Sequence, residues 1–263
     1  MAGTVAVDVD AHIAKVTLNR PDKMNAINLD MFVELGELGQ RLAADSSIRV
    51  VVLSGAGDNF CAGIDTSVFG AEGPATGPDA MGPQSPSPAN LYQRAAYVWR
   101  EIPVPVICAL HGVAFGGGAQ IALGADIRFA APNARFSIME AKWGLIPDMA
   151  ITTTARNVIP LDRVKELAYT ARVIDAGEAM AIGFVTQVHE SPLDAALATA
   201  QAIVARSPDA VRGMKALFDG AWTAPVDEAL AMEARLQLAV MGGANQREAV
   251  QANIENRAPK FVD

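Results

Sequence analysis

Three consecutive glycines at positions 116–118 lie between a strand pattern and a helix pattern. Residues 104–110 before them are nearly all apolar, which is typical of a buried strand in a parallel sheet. Glycines that open a helix leave its first backbone N–H groups accessible at the positive end of the helix dipole. The segment therefore predicts either a backbone site for a negatively charged oxygen or a tight turn with close packing, and the spacing favours neither.

The rest of the chain alternates strand and helix patterns and then becomes purely helical. Residues 5–9 alternate in polarity, and residues 13–18 follow as a candidate hairpin partner. Residues 29–42 have helical spacing with Asn28 as a candidate N-cap, and residues 49–55 indicate another buried strand. A chain of 263 residues in this order is typical of one α/β domain with a helical C-terminal part. The last helical patterns cover residues 193–206, 209–218, 226–240 and 246–256.

Residues 70–90 have a different composition. They contain five prolines and four glycines with few large apolar side chains. A segment of this kind buries too little apolar surface to offset the entropy of ordering it. We therefore expect a mobile loop here.

Composition excludes several classes of protein. With 51% hydrophobic and 19% charged residues, the chain can bury a large core. The net charge is −8 and no stretch of Lys or Arg forms a basic face, so we expect no nucleic-acid partner. The N-terminus lacks a signal-peptide pattern, and no apolar run approaches the roughly 20 residues of a membrane span. With two cysteines besides, we expect a cytoplasmic protein that has no membrane partner.

The common motifs for nucleotide and metal chemistry are absent. The sequence contains no phosphate-binding loop, no H-E-x-x-H, no C-x-x-C and no G-x-S-x-G. Phe60 stands where a dinucleotide-binding fingerprint starting at Gly55 would need its last glycine. His12, His111 and His189 are too scattered to indicate a catalytic triad. We therefore expect neither a metal site nor a redox cofactor.

A second glycine-containing segment, residues 59–65, follows the strand pattern of residues 49–55. An N–H group from this segment beside the glycine-opened helix would complete a site with two donors, an oxyanion hole. Such a site stabilises negative charge that develops on a carbonyl oxygen.

Several segments together resemble the crotonase superfamily, the enoyl-CoA hydratase/isomerase family. The similarity is collinear from about residue 5 to 260, with matching segments at residues 19–26, 60–65, 112–120, 125–128, 136–147 and 175–185. The resemblance implies an α/β fold: a spiral of ββα units over residues 1–193, then a helical assembly region over residues 194–263. It also implies a homotrimer or a dimer of trimers.

The resemblance implies a binding site for an acyl-CoA thioester. Coenzyme A enters as part of the substrate, so no separate cofactor is expected. The N–H groups of Ile64 and Gly117 fall where the family polarises the thioester carbonyl. The residues implied to line the coenzyme A groove are Lys23, Met24, Ala26, Ala62, Gly63, Asp65 and Gly116.

The acid–base residues distinguish the reactions of such a family. Glu140 matches the second of the two glutamates that hydratases use, but Gln120 stands at the first position and cannot take a proton. Asp148 lies where dienoyl-CoA isomerases carry an aspartate, although those enzymes also have an acid at position 120. The alternative for Asp148 is the N-cap of a helix beginning near Ala150.

We expect double-bond isomerisation of an enoyl- or dienoyl-CoA, with Glu140 as the proton carrier in an apolar setting that raises its pKa. One alternative is a 2-enoyl-CoA hydratase in which Gln120 orients the water. Another is a dehydratase, hydrolase or decarboxylase acting on an unusual CoA thioester. The non-enzymatic alternative is a protein that only binds CoA thioesters.

Overall fold

The computed structural model describes residues 3–69 and 77–263. Its strands are β1 (Val5–Asp10), β2 (Ile13–Leu18), β3 (Val50–Gly55), β4 (Val106–Leu110), β5 (Val113–Phe115), β6 (Ile127–Ala130), β7 (Arg135–Ser137), β8 (Ile174–Asp175) and β9 (Gln187–Val188). Its α-helices are α1 (Leu29–Ala44), α2 (Pro78–Met81), α3 (Leu91–Glu101), α4 (Gly117–Gly124), α5 (Ile151–Thr154), α6 (Leu161–Thr170), α7 (Ala176–Ala181), α8 (Pro192–Val204), α9 (Pro208–Ala221), α10 (Val226–Val240) and α11 (Ala244–Ile254).

The strands form two sheets. The larger sheet has six strands in the order β1-β2-β3-β4-β6-β9, and the smaller has three in the order β5-β7-β8. The β1–β2 hairpin is antiparallel, as the alternation of residues 5–9 and 13–18 predicts. From β2 to β9 every neighbouring pair in the larger sheet is parallel. Parallel pairing brings the carboxyl ends of β3 and β4 to the same edge, where the segments that form the site begin.

The strand β3 shows why the larger sheet is covered on both faces. Its side chains alternate, so Val51 and Leu53 belong to the main core, together with residues of α1, α3 and α4. Val50 and Val52 lie in a second apolar cluster with Ala196 and Ala200 of α8. A continuous apolar run, which the sequence shows at this strand, is what a strand buried on both faces requires.

The helix expected over residues 29–42 is confirmed as α1. The side chain of Asn28 accepts a hydrogen bond from the Met31 N–H at 3.1 Å, so it is the N-cap. The helical patterns after residue 193 are confirmed as α8 to α11, with ends shifted by a few residues. The first of these helices, α8, packs on the larger sheet and covers its core. The domain boundary at 193/194 stays a prediction.

The loop expected over residues 70–90 is only partly described. Residues 70–76 lie outside the described part of the chain. The expectation is wrong for α2, but residues 82–90 form no helix or strand, as expected of a loop. Ser87, Ala89 and Asn90 nevertheless pack into the interior, and the expected mobility stays a prediction. A capping box lies at the end of the segment: Asn90 accepts from the Gln93 N–H at 2.9 Å, and Gln93 accepts from the Asn90 N–H at 3.0 Å. These bonds anchor the end of the segment to α3.

The last helices carry apolar side chains on their outer surface. No residue of α10 is buried, and its exposed residues include Val226, Leu230 and Leu238 at 76%, 58% and 72% exposure.

Over residues 3–69 and 77–263, no helix has both the length and the apolar composition that a membrane crossing requires.

Candidate active site

A pocket of about 430 Å³ lies where the segments after β3 and β5 meet. Four pieces of chain form its wall, and they include almost every residue expected at the site. The lining residues are Asp22, Lys23, Met24, Ala26, Ala62, Gly63, Ile64, Asp65, Thr66, Phe69, Gly116, Gly117, Met139, Glu140, Trp143 and Leu145.

Backbone hydrogen bonds join the two glycine-containing segments. Cys61 donates to the Val113 carbonyl at 2.9 Å and accepts from the Phe115 N–H at 3.0 Å. This short parallel pairing carries residues 61–64 alongside the start of α4. A Cβ atom built on Gly118 would lie 2.5 Å from the Cys61 carbonyl oxygen, so the close approach requires glycine at 118.

Ile64 and Gly117, whose N–H groups are the expected donors, are neighbouring residues. A Cβ built on Gly117 would lie 3.6 Å from Cγ1 of Ile64. Gly117 is the first residue of α4, and neither its N–H nor that of Ile64 has an acceptor within residues 3–69 and 77–263. Gly63 and Gly116, which precede these donors, have φ values of 100° and 50°, which favour glycine. Both residues line the same pocket, and their N–H groups are without acceptors in the described structure.

Glu140 begins a 3-10 turn and is 7% exposed. Its Oε1 accepts a hydrogen bond from Nε2 of Gln120 at 2.6 Å. Its Oε2 is buried and has no hydrogen-bond partner in the described part of the chain. Burial raises the pKa of Glu140, and the charge of Asp148 raises it further, while the bond from Gln120 acts in the opposite direction. Such a carboxyl group is suited to exchanging a proton with a ligand.

Gln120 is completely buried in α4, so the hydrogen-bond partners of its amide are protein groups. Its Oε1 accepts from the Met149 N–H at 2.8 Å, while Nε2 donates to Glu140. The sequence identified Gln120 as a non-acid at an acid position, but it could not show this pair of bonds.

Asp148 does not cap a helix, so that alternative is wrong. The helix α5 begins at Ile151, and its N-cap Ala150 has a left-handed backbone and receives no side-chain cap. Desolvation raises the pKa of Asp148. Because the side chain is nevertheless exposed, water screens much of this effect, and Asp148 stays better solvated than Glu140.

The groove residues before α1 are held by contacts that the sequence did not indicate. Lys23 ends a 3-10 turn, and Met24 has a left-handed backbone whose carbonyl accepts from the Ala62 N–H at 2.9 Å. The buried Asn25 donates to the carbonyls of Ala56 and Asn59 at 2.9 and 2.7 Å. These bonds tie the turn to the segment that carries Ile64.

Asp65 lines the groove and is held by contacts of its carboxylate. The Ser67 N–H donates to it at 3.0 Å, and Nη1 of Arg20 lies 2.9 Å from its other oxygen. Both contacts, that of Ser67 first, lower the pKa of Asp65 against a smaller opposing effect of burial. Arg20 was missed because its partner is distant in sequence.

The wall near Glu140 is apolar, and part of it was not predicted. It includes Phe69, Met139, Trp143 and Leu145, of which Trp143 and Leu145 are 57% and 42% exposed. Exposed aromatic and aliphatic side chains at a pocket are a usable signal, but they can be recognised only once their exposure is known.

His111, His12 and Cys61 make contacts outside the acid–base pair of the pocket. His111 makes a hydrogen bond with the Gly57 carbonyl at 2.9 Å, and His12 makes one with the Ser47 carbonyl at 2.8 Å. Burial raises the pKa of Cys61 to about 12, so its thiol is inert.

Comparison with known proteins connects this geometry to a family. The model of the family "Enoyl-CoA hydratase/isomerase" matches residues 8–263. The mitochondrial Delta(3,5)-Delta(2,4)-dienoyl-CoA isomerase of Mus musculus is 34% identical, over 95% of this chain and 79% of its own. The 1,2-epoxyphenylacetyl-CoA isomerase of Escherichia coli is 32% identical, over 97% of this chain and 96% of its own.

A solved structure supports the same assignment. The crystal structure of enoyl-CoA hydratase from Bacillus anthracis superimposes with a TM-score of 0.87 at 28% identity, covering 98% of each chain. The expected α/β fold of the crotonase type, ending in C-terminal helices, is therefore confirmed. The chain belongs to the enoyl-CoA hydratase/isomerase family of the crotonase superfamily and is an enzyme of that family.

Proposed function

We propose that this enzyme moves the double bond of an enoyl- or dienoyl-CoA. Glu140 carries the proton, and the N–H groups of Ile64 and Gly117 stabilise the thioester enolate. The observation that carries the proposal is that Glu140, whose Oε2 is buried and unpartnered in the described structure, lines the same pocket as Ile64 and Gly117.

The reaction needs one carboxylate in the simplest case. Starting from a 3-enoyl-CoA, Glu140 takes a proton from C2, and the electron pair of the C–H bond spreads to the thioester oxygen. The same carboxyl group then returns the proton at C4, giving a 2-enoyl-CoA. Losing one oxyanion donor in such a site typically costs about 10²–10³ in rate, which is the weight we assign to Ile64 and Gly117.

Position 120 argues against hydration as the main reaction. Addition of water by two acids needs a second group that exchanges a proton, a contribution of roughly 10²–10⁴ in rate. Gln120 cannot supply it, and its amide already bonds to Glu140 and Met149. Asp148 is the nearby acid whose charge acts on Glu140, and we assign it an assisting role, above all for dienoyl substrates.

The groove offers coenzyme A a few local contacts in a protein of net charge −8. Lys23 supplies one positive charge at the pocket edge for a phosphate. Met24, Ala26, Ala62 and Asp65 line the same pocket, and we assign them to the contact surface for the rest of the coenzyme A moiety.

An isotope-transfer experiment tests the reaction type. With 3-enoyl-CoA deuterated at C2, a single-carboxylate shuttle delivers part of the label to C4 of the product, which mass spectrometry and NMR locate. A matched incubation with 2-enoyl-CoA measures hydration. Formation of 3-hydroxyacyl-CoA as the faster reaction would contradict the proposal, and binding of CoA thioesters without turnover would favour the non-enzymatic alternative.

We further infer that the chain assembles as a homotrimer or a dimer of trimers through its C-terminal helices. The support is the exposed apolar surface of α10. A surface helix with this much exposed Val and Leu is typical of one that packs against another chain.

A further inference from the structure

The amide of Gln120 has a single orientation. Its Oε1 accepts from a backbone N–H, that of Met149 at 2.8 Å, so this end of the amide must be the oxygen. The other end is therefore the NH₂ group, and it points to Oε1 of Glu140 at 2.6 Å. Because the side chain is fully buried, no water competes for either bond.

This orientation makes the two oxygens of Glu140 unequal. Oε1 is occupied by a strong donor, whereas Oε2 is free of partners in the described part of the chain. A Cβ built on Gly116 would lie 3.4 Å from Oε1, so that oxygen also faces the backbone beside the donor Gly117. Oε2 is thus the oxygen that remains for a substrate proton.

The same amide connects the two acidic segments. Met149 directly follows Asp148, and Glu140 begins the 3-10 turn on the other side of the amide. One buried side chain of α4 therefore holds both segments, with partners 20 and 29 residues away in sequence.

We propose that Gln120 is a positioning residue. Its amide holds Glu140 so that Oε2, and not Oε1, takes and returns the proton, and it keeps Glu140 in register with the Asp148 segment. The inference rests on the proposed role of Glu140 as proton carrier. It explains how a glutamine serves the reaction at a position where a second acid would be needed for adding water.

The central test is Gln120→Met, which keeps the length of the side chain and removes both bonds. A hydrogen bond to a charged group is worth roughly 10- to 100-fold in an equilibrium constant. We therefore expect kcat for 3-enoyl-CoA to fall about 10- to 100-fold, while KM changes less than about 3-fold because the groove is untouched.

The pH profile separates positioning from simple packing. The bond from Gln120 favours the charged form of Glu140, so its loss raises the pKa of Glu140 further. Activity needs ionised Glu140, so the acid limb of the pH profile of kcat should move to higher pH in Gln120→Met. The substitution changes no other titratable residue on the elements around Glu140. These residues are Lys142 on its own turn, Asp148 before α5, and Asp162, Arg163, Lys165, Glu166 and Tyr169 on α6, which packs against that turn, while α4 has no titratable side chain.

Gln93→Met is the matched control. It also removes a glutamine hydrogen bond, that of the α3 cap, but outside the pocket. We expect its kcat and its acid limb to equal those of the unmodified enzyme.

Gln120→Glu keeps the test decisive if Gln120→Met does not fold. An ionised Glu at 120 still accepts from Met149 but cannot donate to Glu140, and two carboxylates at this distance must share one proton. We expect isomerisation in a narrower pH range than in the unmodified enzyme.

Three results would overturn the inference: an unchanged kcat in Gln120→Met, a lower kcat with an unmoved acid limb, or faster hydration of 2-enoyl-CoA by Gln120→Glu. The last result would place position 120 at the substrate water. Glu140→Gln tells the two proposals apart, because an active Glu140→Gln enzyme refutes the proposed function. An inactive one beside a normal Gln120→Met refutes only the positioning role.

Discussion

The helices α4 and α10 are both rich in apolar residues, but they lie in opposite surroundings. Every residue of α4 is buried, and glycines bring its first turn against Cys61 and the pocket. No residue of α10 is buried, and Leu238 is 72% exposed. Residues of this chain thus line the pocket around Glu140, while α10 packs on α9 and leaves Val226, Leu230 and Leu238 exposed in the described structure.

The difference shows that apolar content alone does not tell where a helix will lie. Small residues let α4 pass between other elements at close range, because they have little side chain to accommodate. The larger side chains of α10 alternate with acidic and basic ones, which keeps one side of the helix hydrated. Substitutions in the two regions should therefore affect different properties: catalysis and core stability at the first, association at the second.

The largest effect is expected from Glu140→Gln. The substitution keeps size and hydrogen bonding but removes proton transfer, so turnover of 3-enoyl-CoA should fall by at least about 10². CoA-thioester affinity, measured by titration calorimetry, should barely change, and the oligomer mass should be unaltered. Turnover near the level of the unmodified enzyme would assign the proton to another group.

Leu238→Glu tests the second region. We expect the unmodified protein to have the mass of a trimer or of two trimers by light scattering at micromolar concentration. Burying one Leu side chain at an interface is worth about 1.5–3 kcal/mol, so a charge at this position should shift the mass toward the monomer. Gln237→Glu adds the same charge next to it at a polar position and should leave the mass unchanged. A monomeric unmodified protein would refute the assembly.

Substitution of glycine by alanine should change the free energy of unfolding with opposite signs in α4 and in α9, the helix that packs against α10. At Gly124, the last residue of α4, the added Cβ would lie 2.0 Å from the Ala96 carbonyl oxygen, so Gly124→Ala should destabilise by about 1–3 kcal/mol. At Gly213 in α9 the nearest atom, in Val240, is 3.9 Å away. Gly213→Ala should therefore stabilise by about 0.5–1 kcal/mol. Chemical denaturation measures both, and equal signs would contradict the difference in packing.

Asp148→Asn should have the smallest effect on free energy at the site. Asp148 caps no helix, so the melting temperature should stay the same. If its charge assists Glu140, turnover of a 3,5-dienoyl-CoA should fall about 10-fold, or ~1.4 kcal/mol in activation free energy. Unchanged turnover of both 3-enoyl- and 3,5-dienoyl-CoA would remove Asp148 from the mechanism.

Much of the fold could be predicted because its signals are local. The N-cap at Asn28, the alternation in β1 and β2 and the apolar run of β3 each act within a few residues. The C-terminal helices follow from their spacing in the same way. The composition of residues 77–90 indicated a loop but could not show the short helix α2 or the burial of Ser87, Ala89 and Asn90, which depend on contacts with the rest of the chain.

The residue types of the site were also determined by the sequence, since Glu140, Gln120 and the glycines stand in recognisable segments. Their roles toward each other were decided only by the tertiary structure. The bonds of Gln120 to Glu140 and to Met149 join residues from separate elements, and so does the ion pair of Arg20 with Asp65. No local pattern encodes such contacts, because they exist only after the sheet and the helices have packed and excluded water from the amide and carboxyl groups.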